Sequence, residues 1–351
     1  VRLRKLQGLN GLAKIDFGAD GTALQVKPAI GAALGLRGAG EAEIGGRGAV
    51  GTAAFIVKRD DRAGPGMGGN KTRKLQYVIA DALDRGADCL ITVGAVQSNH
   101  AALTAVCGGM AGLEVHLVLG GDPGDMRGGN LVVDQLAAAH THFVAADEWD
   151  LLVTESARIA AELRGRGRHP YEIPVGASVP LGAAGYADAY LELLGQLDAA
   201  GVHADWLVAA SGSGGTQAGL LAGRALAGRG PRVVGVDVAK GGGELRDIVA
   251  ELAAAALELL GSDASVPPED VVLVDGAGPG YGQVFTANRE AVLTALRTEG
   301  LLLDPVYTSK AMAAIPDMVA DGLIPADDTV VFLHTGGLGA LFAPAYAEAL
   351  R

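Results

Sequence analysis

Short apolar runs recur along this chain, each separated from the next by a stretch with helical periodicity. Strand-like segments stand at 53–58, 88–93, 114–119, 141–144, 171–174, 205–210, 232–238 and 328–334. Helical patterns fill 71–85, 98–110, 130–139, 147–163, 181–199, 216–227, 244–260, 288–299, 309–320 and 338–350. Runs of four to seven mostly apolar residues, with little polar alternation, suit strands covered on both faces. Parallel sheets are covered in this way, because their crossover helices pack on either side. The expected fold class is α/β, with two doubly wound parallel-sheet domains. Residues 1–52 have weak periodicity and are expected to be partly irregular.

The chain is long enough for one large or two medium domains, at 351 residues. Its 54 glycines follow no G-X-Y period and gather at element ends, which excludes collagen and low-complexity sequence. Aromatics make up only 4%, so the core must be built largely from Ala, Val, Leu and Gly.

Four glycine-rich or polar turns follow expected strands: G-A-V-Q-S-N-H at 94–100, V-G-A-S at 175–178, A-S-G-S-G-G-T-Q-A-G at 210–219 and H-T-G-G-L-G at 334–339. A strand, then Gly212-Ser213-Gly214-Gly215-Thr216, then a helix is an arrangement that binds phosphate. Glycines let the backbone approach the anion, and the helix start supplies N–H groups and positive dipole. The same pattern also describes a tight turn with Thr216 as cap. A dinucleotide fingerprint fits poorly, because Gln217 stands where a third small residue is needed. The stretch G-P-G-M-G-G-N-K-T-R-K-L-Q-Y at 64–77 is no phosphate loop either, since Asn70 separates glycine from lysine. It leaves Lys71 at a helix start, where the dipole opposes an ammonium and would lower its pKa, as a Schiff-base lysine requires. A solvated basic helix start is the plainer alternative.

Net charge is −12 with no basic stripe, which disfavours nucleic acid as a partner. No run is apolar enough to span a bilayer, and the two cysteines, Cys89 and Cys107, read as buried free thiols of a reducing, cytoplasmic setting. His140 and His142 alternate as metal ligands on one strand face would, yet no third ligand stands at a recognisable spacing. Neither H-E-x-x-H nor G-x-S-x-G occurs, so hydrolase chemistry lacks support.

Taken together, G-G-N-K-T-R-K-L, G-A-V-Q-S-N-H, S-G-S-G-G-T-Q-A-G, G-P-G-Y-G, L-D-P-V-Y-T-S-K-A-M and F-L-H-T-G-G-L occur in one order. In this the chain resembles the D-cysteine desulfhydrase and 1-aminocyclopropane-1-carboxylate deaminase family, pyridoxal-phosphate enzymes of the tryptophan-synthase-β-like group. The resemblance covers roughly 53–345. It implies that Lys71 carries the cofactor and shuttles a proton, with Lys74 near the phosphate and Gly212, Ser213, Gly214, Gly215 and Thr216 cradling it. Asn99 would bond the ring's 3′-oxygen. Ser98, with Gln97 and Asn99 beside it, would hold the substrate carboxylate, and Tyr281 and Tyr307 would handle protons or the leaving group. His334 is expected as a wall of the cofactor pocket. A large cofactor-binding domain of 1–73 and 183–351, a small domain of 74–182, a small amino-acid substrate and a homodimer are the corresponding expectations.

The residue after Tyr307 bears on the reaction. The cyclopropane deaminases carry a glutamate there, against the pyridine nitrogen, whereas this chain has Thr308. With Thr335 as helper, a hydroxyl partner would make a weaker electron sink, suited to β-elimination from D-cysteine. Deamination of 1-aminocyclopropane-1-carboxylate, or elimination from L-cysteate or another β-substituted amino acid, is the alternative. Two departures, Ala102 where desulfhydrases have arginine and Val179 after the G-A-S turn, are expected to remove polar groups at the pocket rim.

Overall fold

A computed structural model describes residues 3–37, 55–122, 124, 127–145, 149–239 and 241–351. Its strands are β1 (Lys5–Gln7), β2 (Ala13–Ile15), β3 (Leu24–Val26), β4 (Phe55–Lys58), β5 (Cys89–Ala95), β6 (Glu114–Gly120), β7 (His140–Val144), β8 (Pro170–Ile173), β9 (Trp206–Ser211), β10 (Arg232–Asp237), β11 (Val272–Asp275) and β12 (Val330–Leu333). Six form a sheet in the order β11-β10-β9-β12-β4-β3, four form a second in the order β7-β6-β5-β8, and β1 pairs with β2. The four-stranded sheet is parallel throughout, and in the six-stranded sheet only β3 runs antiparallel. The expected α/β class therefore holds, with an antiparallel strand added at one edge.

The central strands of both sheets are buried on two faces. Leu207, Ala209, Val233 and Val331 pack under one set of helices, while Trp206, Val208, Val234 and Phe332 face the other. In the smaller sheet Leu90, Val115 and Leu117 face one side, and Cys89, Ile91 and Val118 the other. That two-sided burial is why these strands lack polar alternation.

Several elements differ from expectation. The helix expected at 309–320 is two, Thr308–Ala313 and Ile315–Ala320, with Pro316 in the first turn of the second. Proline lacks the N–H that would have continued the ladder. Likewise 338–350 is a short 3-10 turn, Leu338–Phe342, then a helix from Pro344. Strands β1, β2, β3 and β11 were not anticipated, being three or four residues long. The strand expected at 53–58 and the helix at 147–163 begin with residues outside those described, and 38–54 lie outside them too.

Close helix packing sets the site. Helix Pro180–Ala200 runs against both Asn70–Asp84 and Gly215–Ala227. A methyl group at Gly185 would overlap the carbonyl of Arg73, and one at Gly219 that of Ala183. Glycine alone allows backbones to approach so closely.

Candidate active site

A cavity of about 630 Å³ opens at the carboxyl ends of β5, β6, β9 and β12. This is where open parallel sheets place their ligands. Lys71, Lys74, Ser98, Asn99, Gly212 to Thr216, Tyr281, Tyr307 and Thr335 all line it.

Lys71 begins the second position of helix Asn70–Asp84, and Lys74 follows one turn later on the same face. Among the described residues neither amine has a carboxylate partner. Burial lowers the Lys71 ammonium to about 8. Lys74 is pushed well below its ordinary value, first by burial and then by the charge of Lys71. Its Nζ donates to the carbonyl of Gly176 at 3.1 Å.

The glycine turn faces these amines from the end of β9. Gly214 has φ +78, which glycine adopts without strain, and helix Gly215–Ala227 begins immediately after it. Gly215 N–H donates to Ser213 O (3.0 Å) and more weakly to Ser178 Oγ (3.3 Å), while the Ser178 and Ser213 hydroxyls lie 2.8 Å apart. Thr216 Oγ1 accepts from Asn70 Nδ2 at 3.0 Å, tying the loop to the lysine helix. A Cβ at Gly215 would come within 2.6 Å of Ser178 Oγ and 3.0 Å of Lys74 Nζ. A helix start, hydroxyls and a buried amine converging on a glycine that admits no side chain fit a phosphate. Beside them, the uncompensated amine of Lys71 fits an aldehyde. These residues match pyridoxal phosphate.

Helix Asn99–Met110 presents its start from the other side. Ser98 Oγ accepts from Ala101 N at 3.1 Å, which leaves its hydroxyl hydrogen available to a ligand. Asn99 Oδ1 accepts from Asn130 Nδ2 at 2.7 Å, so its own amide nitrogen remains as donor. Tyr281 and Tyr307 meet hydroxyl to hydroxyl at 2.6 Å.

Gln97 and Thr308 do not line the cavity. Gln97 accepts from Asn130 N (2.8 Å) and donates to Gly128 O (3.1 Å), stapling a neighbouring loop behind Asn99. The Thr308 hydroxyl donates to Asp304 Oδ1 (2.6 Å) and accepts from Asp304 N (2.8 Å). Asp304 also accepts from the N–H groups of Val306, Tyr307 and Thr308 at 2.8, 2.9 and 2.6 Å. The threonine is thus part of a buried cap that fixes the backbone of Tyr307, and its hydroxyl is already committed. Ala102 and Val179 are also away from the cavity wall: Ala102 is buried within its helix and Val179 packs on the small-sheet core. His334 stands behind the wall, with Nε2 donating to Leu302 O (2.8 Å) and Nδ1 accepting from Gly336 N (3.2 Å).

His100 was missed. Its Nε2 lies 2.8 Å from Thr92 Oγ1, and that hydroxyl donates its hydrogen to Ile173 O at 2.8 Å. Thr92 must therefore accept, which puts the imidazole proton on Nε2 and leaves Nδ1 a bare, buried acceptor. Burial, then Lys71 and Lys74, hold this ring neutral. The signal was present in Q-S-N-H as a histidine one residue inside a helix start. Asn70 and Ser178, not singled out as site residues, lie within the motifs G-G-N-K-T-R-K-L and V-G-A-S.

Known proteins are similar to this chain in sequence and in fold. The family pattern of the pyridoxal-phosphate dependent enzymes matches residues 45–336. A Pyrococcus abyssi protein provisionally named 1-aminocyclopropane-1-carboxylate deaminase is 40% identical over 287 residues, 82% of this chain and 85% of the relative. The 1-aminocyclopropane-1-carboxylate deaminase of Burkholderia vietnamiensis is 37% identical over 310 residues, 86% of this chain and 91% of the relative. A crystal structure of an ACC deaminase homologue superposes with a TM-score of 0.84 at 34% identity, covering 96% of this chain and 95% of the other. Matched over most of its length in sequence and nearly all of it in fold, the chain belongs to the pyridoxal-phosphate dependent enzymes, with the tryptophan-synthase-β-like fold and pyridoxal phosphate as its cofactor.

Proposed function

We propose that this enzyme is a deaminase of small α-amino acids, with 1-aminocyclopropane-1-carboxylate as the substrate to test first. The observation that carries this reading is the likeness to relatives of that name over more than four fifths of the chain. A free Thr308 hydroxyl against the cofactor ring would favour D-cysteine. That hydroxyl is instead bound to Asp304. D-cysteine stays as a second reading because Thr308 stands where deaminases carry glutamate.

When bound, pyridoxal phosphate supplies an electron sink for negative charge developing beside the amino group. Lys71 would hold it through Nζ, the turn Gly212 to Thr216 would grip its phosphate beside Lys74, and the free amide hydrogen of Asn99 would steady its ring. Ser98 and the start of its helix would orient the substrate carboxylate. Held near 8, Lys71 Nζ can carry or release a proton close to neutrality. Tyr307 would deliver or withdraw a proton at the substrate's side chain. Tyr281, which is 40% exposed, connects it to solvent.

The test is an assay of the cofactor-loaded protein with each substrate separately. Accumulation of 2-oxobutyrate and ammonia from the cyclopropane acid supports the proposal. Pyruvate, sulfide and ammonia from D-cysteine, with no 2-oxobutyrate from the other, would replace it by the second reading.

A further inference from the structure

Strands β6 and β7 pair in parallel, with His116 opposite His140 and Val118 opposite His142. Side chains two apart on a strand share a face, so Glu114, His116, His140 and His142 all emerge on one side of the small sheet. They do converge. Glu114 Oε1 lies 2.7 Å from His116 Nε2 and 3.7 Å from His140 Nε2, and the ligand atoms of the three residues all fall within 4.8 Å of one another. The His116 ring stacks on both other imidazoles, with centroids 4.8 Å from His140 and 5.4 Å from His142.

We propose that Glu114, His116 and His140 bind a divalent transition-metal ion, zinc before others. Two imidazoles and a carboxylate are a donor set for borderline cations, and zinc forms bonds of about 2.0–2.2 Å to both donor types. Donors at that distance around a tetrahedral ion are roughly 3.4 Å apart. The two observed separations from Glu114 bracket this value, so small side-chain rotations close the site.

Its surroundings suit the task. His142 Nε2 lies 3.1 Å from His116 Nδ1, the outer contact that orients a metal-binding imidazole. Arg168 donates to Glu114 Oε2 at 2.8 Å and leaves Oε1 for the metal, while Asp88 at 2.7 Å offsets its charge. The His116 side chain is 9% exposed and anchored, whereas that of His140 is 57% exposed, which gives an ion a way in and leaves a fourth position for water. Gly120, at the other end of β6, lines the catalytic cavity. Glu114 is six residues away, roughly 20 Å along a strand. The metal would therefore cross-link β6 and β7 without entering the cofactor chemistry.

The test is zinc content after dialysis of the tag-free, cofactor-loaded protein against micromolar free zinc. About one ion per chain is expected for the parent protein, with loss of binding in His140→Ala and in Glu114→Gln. His142→Ala is expected to weaken affinity about 10–100-fold. His203→Ala, exposed and paired with Asp205 elsewhere, serves as the unaffected control. An unchanged cofactor absorption band certifies that each variant is folded. Parent protein that retains no zinc, or His140→Ala that retains as much as the parent, overturns the proposal.

Discussion

The hydroxyls of Tyr281 and Tyr307 lie 2.6 Å apart, with the rings edge to face and their centroids 6.0 Å apart. Burial raises the phenol of Tyr307 well above its usual value, and the neighbouring Tyr281 adds to this. Both remain protonated across the physiological range, so the pair passes protons without holding negative charge. Tyr307→Phe is expected to lower kcat by about 10²-fold or more, the usual weight of a general acid–base group. Tyr281→Phe should have a smaller effect, because Tyr307 keeps its own proton. Steady-state kinetics, with the cofactor band as a check on loading, distinguish the two.

Lys71 makes cofactor capture dependent on pH. Only the free amine attacks an aldehyde, and with the ammonium lowered by burial to about 8 the reactive fraction rises about tenfold per pH unit below that point. Cofactor uptake by the stripped protein, followed by absorbance, should climb from pH 6 to 8 and then level off.

The same shift has a stability counterpart. Between about 8 and the ordinary 10.5 the unfolded chain holds a proton on Lys71 that the folded, cofactor-free chain has released. Stability therefore rises with pH through that window, and the penalty is fully present below it. Lys71→Met should raise the Tm of cofactor-free protein at pH 7.5 and have little effect at pH 10.5.

Gly215→Ala places a methyl group 2.6 Å from Ser178 Oγ and 3.0 Å from Lys74 Nζ. Overpacking of this kind costs about 1–3 kcal/mol, so phosphate-dependent affinity should fall about tenfold or more. Titration of stripped protein with pyridoxal phosphate and with pyridoxal checks this, since the alanine should weaken the first far more than the second.

Arg73 anchors a buried ionic network. Its guanidinium donates to both oxygens of Asp60 (2.8 and 3.0 Å) and to both of Glu192 (3.0 and 2.9 Å). Tyr186 and Thr22 complete the shell of Asp60 at 2.8 and 2.6 Å, and Lys58 pairs with Glu192. Removing one member strands buried charge, so Arg73→Ala should destabilise the protein by about 3–5 kcal/mol. Urea unfolding measures it.

Much of this was legible in the residues. Lys71, Ser98, Asn99 and the turn Gly212 to Thr216 line one cavity, and the sequence pointed to them together because their motifs combine residue type with position at a helix start. Thr308 and Gln97 stand off the cavity wall, their polar groups bonded to neighbours: Asp304 in one case, Asn130 and Gly128 in the other. Such competition depends on distances across the fold. Asp304 did announce itself locally, as an acid preceding three free N–H groups in L-D-P-V-Y-T. His116 and Glu114 stayed hidden beside His140 because strand register, not sequence spacing, brings them together. Strand β3 was missed for want of length, as a three-residue antiparallel edge.

Lys71, Arg73 and Lys74 lie within four residues of one helix, yet they face opposite ways. The lysines look into the cavity, while Arg73 is clamped by Asp60 and Glu192 on the far side. The clamp acts as a keel: the helix cannot roll about its axis without tearing charges apart in a dry interior. Stripped of cofactor, the two amines therefore keep their bearing. Reloading becomes a docking event rather than a refolding one, and an enzyme that loses its cofactor is parked, not ruined.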